Sequence, residues 1–276
     1  MDVYPTPIEA IMDVANVREV DDEVLSPSLV DKFRKELGST VGTIKRALGK
    51  IIGLFHAASG CIFVDHALPP IKKIFVRLHE TGHGFLPWQR KMYQLVEDST
   101  ESLDPAVAEQ FDREANVFAS EVLFKLDRFI DEANDHDFSI FVPVRLAKRY
   151  GSSLYSAIRQ YVLKNHRECA VIVLNRPVIE PIVGFRAELR RVETSDPFKA
   201  RFGELTLPDE FTPDDHIGAM VPMGGRKATG RRELFLEDLN GNEHLCYAEA
   251  FTNKYQVFVL VLPVEELTRT TILMAS

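Results

Sequence analysis

The sequence predicts an α+β protein, with a mainly helical N-terminal part that carries a small sheet and a strand-rich C-terminal part. Three observations carry this. Up to about residue 165 apolar residues recur mostly at helical spacing, interrupted by the short β-type run "CIFV". From about residue 168 the pattern changes to "CAVIVLN", "ELFLEDLNGNEHLCYAEAF" and "YQVFVLVLP", which read as strands. Asn240-Gly241 lies between two such runs as a hairpin turn signal. The 276 residues suffice for one large domain or two modest ones. The expected division is 1–140, a helical pair over 141–167, and a strand-rich domain over 168–276.

Taken in order, residues 5–60 read as helical, with Ser26 and Ser28 as candidate caps. "GCIFVD" gives a strand over 61–64. A helix follows from about Ile71 to Gly84, with Pro70 in its first turn. Gly84 is its expected C-cap, and Pro87 forbids its continuation. "DPAVAEQFDREANVFASEVLFKLDRFIDEAN" reads as one long amphipathic helix, with Asp104 as cap and Pro105 at the first position. "PVRLAKRYGSSLYSAIRQYVLKN" gives two short helices joined near "YGSS", either a helix-turn-helix or a packing hairpin.

Bulk properties exclude several classes. A net charge of -8 argues against a sequence-independent nucleic-acid binder, although local basic patches stay open. The three cysteines, Cys61, Cys169 and Cys246, are far apart and form no CxxC pair, so a reduced cytoplasmic chain without thiolate-bound zinc is expected. The acidic, proline-broken N-terminus lacks the pattern of a signal peptide. No apolar run is long enough to span a bilayer.

The chemistry concentrates in "KKIFVRLHETGHGFLPWQ", residues 72–89. Positions four apart lie one above the other on a helix, so His79 and His83 can aim two imidazoles at one ion. Glu80 sits one step round, where it can act on a metal-bound water as general base. Ile71, Ile74, Phe75, Leu78 and Gly82 form the apolar stripe of this helix, with the histidines on its flank. Gly82 is costly inside a helix unless another backbone passes close by.

Catalytic zinc takes three protein ligands, so a third is needed. On the later helix Phe111, Ala115, Phe118, Ala119 and Val122 make the expected buried face. Asp112 and Asn116 fall at its edge, and Glu114 and Glu121 point to the opposite side. Asp112 is therefore the favoured ligand, with Asn116 beside it to hydrogen-bond a ligand. Glu109, one turn earlier on a similar side, is the fallback ligand, and Glu114 is the fallback if the helix is rotated.

"LHETGHGFLPW" followed by "FDREANVFASEVLF" resembles the ImmA/IrrE family of zinc metallopeptidases. That family pairs a HExxH helix with a helix carrying acidic-x-x-Ala-Asn-x-Phe-Ala, matched here by "DREANVFA". "PTPIEAI", "GCIFVD" and "LAKRYGSSLYSAI" are similar to its flanking segments, so the likeness spans about residues 5–165. It implies a zincin-like domain in which His79, His83 and Asp112 bind one zinc ion and Glu80 is the base. It further implies cleavage of a helix-turn-helix repressor encoded nearby, releasing a stress-response or mobile-element operon. The strand-rich domain over 168–276 is then expected to sense a signal or hold the substrate, and in some relatives that domain is GAF-like. The family has Glu at the position of Asp112; aspartate is one methylene shorter, which demands a closer approach of the two helices. The family often ends this helix with Leu-Met-Pro, whereas "LFKLDRF" is expected to run on.

Two rival functions stay open. One is a regulatory or binding protein that keeps the fold without proteolysis, against which the retention of Glu80 argues. The other is a metal-dependent hydrolase of a non-peptide substrate. Tyr93, His136 and Tyr150 are each candidates to stabilise the oxyanion. "MGGRKATGRR", residues 223–232, lacks P-loop spacing and reads as a solvated loop. "HREC", residues 166–169, does not fit the zinc-deaminase pattern.

Overall fold

The computed structural model describes residues 3–20, 53–97 and 103–264. In chain order the elements are α1 (Ile8–Val14), β1 (Arg18–Glu19), β2 (Gly53–His56), β3 (Cys61–Val64), α2 (Pro70–Phe85), α3 (Pro87–Glu97), α4 (Pro105–Leu123), α5 (Arg128–Asn134), α6 (Phe141–Tyr150) and α7 (Leu154–Leu163). They continue as β4 (Ala170–Asn175), β5 (Val178–Glu180), β6 (Gly184–Thr194), α8 (Asp196–Phe202), β7 (Glu210–Phe211), β8 (Ala228–Glu237), β9 (Glu243–Thr252) and β10 (Gln256–Pro263). The fold is α+β, a helical N-terminal region with a small sheet and a strand-rich C-terminal region. The described residues fall into two compact units, one drawn from Met1–Asp131 and Arg145–Ser156, the other from Glu132–Val144 and Ala157–Ser276. No helix among the described residues is long and apolar enough to cross a membrane.

The first unit is built on α2 and α4. Its three-stranded sheet runs in the order β1-β3-β2, parallel between β1 and β3 and antiparallel between β2 and β3. The expectation of helix across 5–60 is therefore corrected at Arg18–Glu19 and Gly53–His56, where strand pairing with β3 prevails over local helix preference. The segment 21–52, with Ser26 and Ser28, lies outside the described residues.

α2 begins at Pro70, whose missing N–H costs nothing in a first turn. It ends one residue beyond Gly84, at Phe85, because Leu86 is extended ahead of Pro87, as a pre-proline residue prefers. Pro87 then starts α3. Gly84 is not the cap: it lies inside the helix, where a Cβ would meet Val17 Cγ2 at 2.5 Å. The expected apolar stripe is also shifted. Ile71 is exposed, whereas every residue from Glu80 to Gly84 is buried, so the second half of α2 is enclosed nearly all round. A Cβ on Gly82 would stand 3.3 Å from Ala115 Cα and 3.0 Å from the Phe118 ring. Glycine is needed there because α4 crosses at backbone distance.

α4 starts as expected, with the Asp104 carboxylate accepting from Ala106 N. It does not run on through "LFKLDRF". Lys125 and Leu126 both adopt positive φ, 55° and 59°. The Leu126 N–H then bonds back to Glu121 O at 2.7 Å, closing the helix end in the manner of a Schellman turn. α5 follows after the break, and the first unit's core gathers here around Phe124, Phe129 and Tyr150.

The second unit is an antiparallel sheet in the order β5-β6-β4-β10-β9-β8, with β7 added on β6. β4 and most of β10 are buried on both faces, in keeping with their unbroken apolar runs. The Asn240-Gly241 turn joins β8 to β9, with Gly241 at φ 82°. α8 packs Phe198 and Phe202 into the core, capped by Ser195, whose hydroxyl accepts from Phe198 N. Half of the expected 223–232 loop is strand: β8 starts at Ala228 and bulges between Thr229 and Arg232.

Leu126 is exposed, so its left-handed backbone is its main energetic burden. Leu126→Gly is expected to raise stability by about 0.5–1 kcal/mol in urea unfolding, and Leu126→Val to lower it.

Candidate metal centre

His79 and His83 lie one turn apart on α2, with ring centroids 4.8 Å apart and planes nearly perpendicular. Their Nε2 atoms are 3.2 Å apart. Asp112 on α4 brings Oδ1 to 3.8 Å from His79 Nε2 and 3.7 Å from His83 Nε2. Among the described residues these three form a group able to hold a metal ion, their ligand atoms all within 4.8 Å of one another.

The far side of each imidazole decides what the near side can bind. His79 Nδ1 faces Asn116 Oδ1 at 3.2 Å, and His83 Nδ1 faces Gln89 Oε1 at 2.7 Å. Gln89 has a defined orientation, because its nitrogen lies 2.7 Å from the acceptor-only carboxylate of Glu114. Both histidines thus donate from Nδ1 and carry bare lone pairs on Nε2. Two lone pairs facing each other at 3.2 Å repel, and a cation between them removes the repulsion. Two nitrogens bound tetrahedrally to zinc would lie about 3.3 Å apart, close to the separation present. Asp112 stands a few tenths of an ångström further off than such an arrangement needs, and it is exposed enough to close that gap. The donor set, two neutral imidazoles and a carboxylate, fits zinc.

Burial reinforces this chemistry. Desolvation, then the neighbouring His83, lowers the pKa of His79 to about 4, and desolvation also lowers that of His83. Both rings are therefore neutral at pH 7, as metal binding requires. Glu80 is buried against β2, where a Cβ on Gly53 would stand 2.5 Å from Glu80 Oε1. Desolvation, then Asp112, raises its pKa to about 8. A cation at the site acts the other way and favours the carboxylate.

Of the remaining candidates, Glu109 pairs with Arg113 at 3.6 Å on the exposed side of α4 and is not in the group. Glu114 is not in it either, and it does not point away to solvent as helix phase suggested. It accepts from Gln89 Nε2, Trp88 Nε1 and Gln110 Nε2, which lower its pKa. Its side chain folds across to α3, where Trp88 and Gln89 donate, and Gln110 of α4 donates from one turn back. Tyr93, one turn beyond Gln89 on α3, packs its ring edgewise on His83 at 5.3 Å and is also clamped by Phe55 and Phe111. Burial, then Asp112 and Glu80, pushes its hydroxyl pKa up, so it stays a neutral donor. Tyr150 is fully buried with its hydroxyl 3.4 Å from that of Tyr4, and His136 belongs to the second unit. Sequence reasoning missed Gln89, Trp88 and Gly53. The available signal was the i, i+4 spacing of Gln89 and Tyr93, which repeats that of the two histidines.

Two neutral imidazoles one turn apart on α2 and an opposing carboxylate on α4 thus form a candidate metal centre on a HExxH helix. Residues 35–160, which contain His79, Glu80, His83 and Asp112 and end before the second sheet, match the family model of Peptidase_M78, the IrrE N-terminal-like domain. The chain thus carries an IrrE N-terminal-like domain over that stretch. No curated protein matches the chain. Among solved structures, a Mycobacterium tuberculosis transcriptional regulator is similar at 14% identity and TM-score 0.49, over 93% of this chain and 69% of that one.

The raised pKa of Glu80 has a measurable consequence. The native state holds its proton between about pH 4.5 and about pH 8 while the unfolded chain does not. Stability of the chelator-treated protein therefore falls as pH rises through that window. Glu80→Gln is expected to raise its Tm by roughly 5 °C at about pH 9 and by nothing below about pH 4.5. Equal shifts at both values contradict this.

Proposed function

We propose that the chain is a zinc-dependent endopeptidase that cleaves a helix-turn-helix repressor. The observation that supports this most is Glu80, a buried carboxylate next to three convergent metal donors. Zinc held by His79, His83 and Asp112 would supply a water of near-neutral pKa and polarise the scissile carbonyl. Glu80 would act there as general base and then, protonated, as general acid toward the leaving amine, a role suited to a carboxylate whose surroundings favour the protonated form. Tyr93 is the donor we assign to the developing negative charge on the carbonyl oxygen, because its ring is clamped beside His83.

The repressor is proposed on the family likeness of "DREANVFA" and on the net charge of -8, which speeds encounter with a basic DNA-binding protein. The strand-rich unit is left to hold the substrate or to sense a signal.

With the repressor encoded beside the gene as substrate, Glu80→Gln is expected to retain zinc and to lower kcat by about 10²–10⁴-fold. Cleavage at the wild-type rate contradicts the mechanism. Tyr93→Phe should lower kcat by about 10²-fold with KM little changed. Asp112→Ala should lose zinc at concentrations that saturate the wild type.

A further inference from the structure

The side chains behind His83 form a continuous chain that neither the motif nor the ligand set explains. His83 Nδ1–H donates to Gln89 Oε1 at 2.7 Å. Gln89 Nε2 donates to Glu114 Oε2 at 2.7 Å and to Phe111 O at 3.3 Å. The same Glu114 oxygen accepts from Trp88 Nε1 at 2.7 Å, and its other oxygen accepts from Gln110 Nε2 at 3.0 Å. Gln89 is fully buried, whereas Glu114 is at the surface. The chain runs from the metal-facing imidazole, through a buried amide, to an anchored carboxylate.

We propose that Glu114 and Gln89 are positioning residues that act on the metal through His83. A neutral imidazole can carry its proton on either nitrogen, and only the Nδ1–H form presents Nε2 to an ion. An amide alone does not choose, because Gln89 could turn its nitrogen toward His83 and select the wrong tautomer. Glu114, at 2.7 Å and with the Phe111 carbonyl at 3.3 Å beside it, removes that freedom. It accepts only, so it holds the Gln89 nitrogen outward and the oxygen on His83. Asp112 turns to the metal-facing histidines, while Glu114, two residues on, is drawn by the donors of α3 to this second task. The surface carboxylate thereby fixes the protonation of a buried ligand on another helix. This deepens the metallopeptidase reading and rests on it.

The test is zinc affinity of the full chain, measured by competition with a chromophoric chelator, alongside the Tm of the zinc-free protein. Gln89→Met keeps the side-chain length and removes its three hydrogen bonds, and should weaken zinc binding about 10–100-fold. Glu114→Ala should weaken it about 3–10-fold, and Glu114→Gln, whose amide can donate as well as accept, should recover only part of that. Glu109→Ala, on the same helix without this contact, should change nothing. In the Gln89→Met background, Glu114→Ala should have no further effect, because its route to His83 is already cut. Glu114→Ala that lowers only the zinc-free Tm, or that weakens zinc equally in both backgrounds, overturns the inference and leaves the metallopeptidase reading intact. A wild-type chain that binds no zinc overturns both.

Discussion

The site depends on how closely α2 and α4 approach. Gly82 meets Ala115 so closely that a Cβ there would press on Ala115 and Phe118 at 3.0–3.4 Å, and the Phe85 and Phe118 rings pack across the same contact at 5.1 Å. That approach sets Asp112 and Asn116 opposite His79 and His83. It matters more here than it would with glutamate at position 112, because aspartate reaches less far. The carboxylate still stands 3.7 Å and 3.8 Å from the two imidazole nitrogens, nearly equidistant. A wider crossing would leave two histidines without their third partner.

The same closeness sets the electrostatics. Enclosing the second half of α2 strips water from His79, His83 and Glu80 together. Desolvation disfavours every charged form, so the histidines become neutral and the carboxylate holds its proton. Such a cluster is costly until a cation enters, after which neutral imidazoles and ionised carboxylates are the favoured states. Folding therefore prepares the protonation of the ligands, while the amides of Asn116 and Gln89 prepare their tautomers.

Much of this was legible in the sequence because it follows helix phase. The i, i+4 spacing of His79 and His83 and the small residues at 82, 115 and 119 are local patterns with one geometric meaning. Glu114 was misjudged for an equally physical reason. Helix phase gives the direction of a Cα–Cβ bond, but not where a long side chain goes once donors on a neighbouring helix claim it. The break at Lys125 and Leu126 was hidden because non-glycine residues adopt the left-handed conformation there without a sequence marker. Gly84 was misplaced because a glycine needed for close packing looks the same in sequence as one needed for a cap. Strands β1 and β2 are two and four residues long, too short for periodicity to distinguish them from helix.

The central claim is that two Nδ1-protonated imidazoles and the Asp112 carboxylate form one metal site. X-ray absorption at the zinc edge of the stoichiometrically loaded full chain tests it most directly. The expected spectrum has nitrogen and oxygen neighbours at about 2.0 Å, multiple scattering from two imidazoles and no sulfur. A sulfur shell at about 2.3 Å, or fewer than two imidazoles, would contradict it.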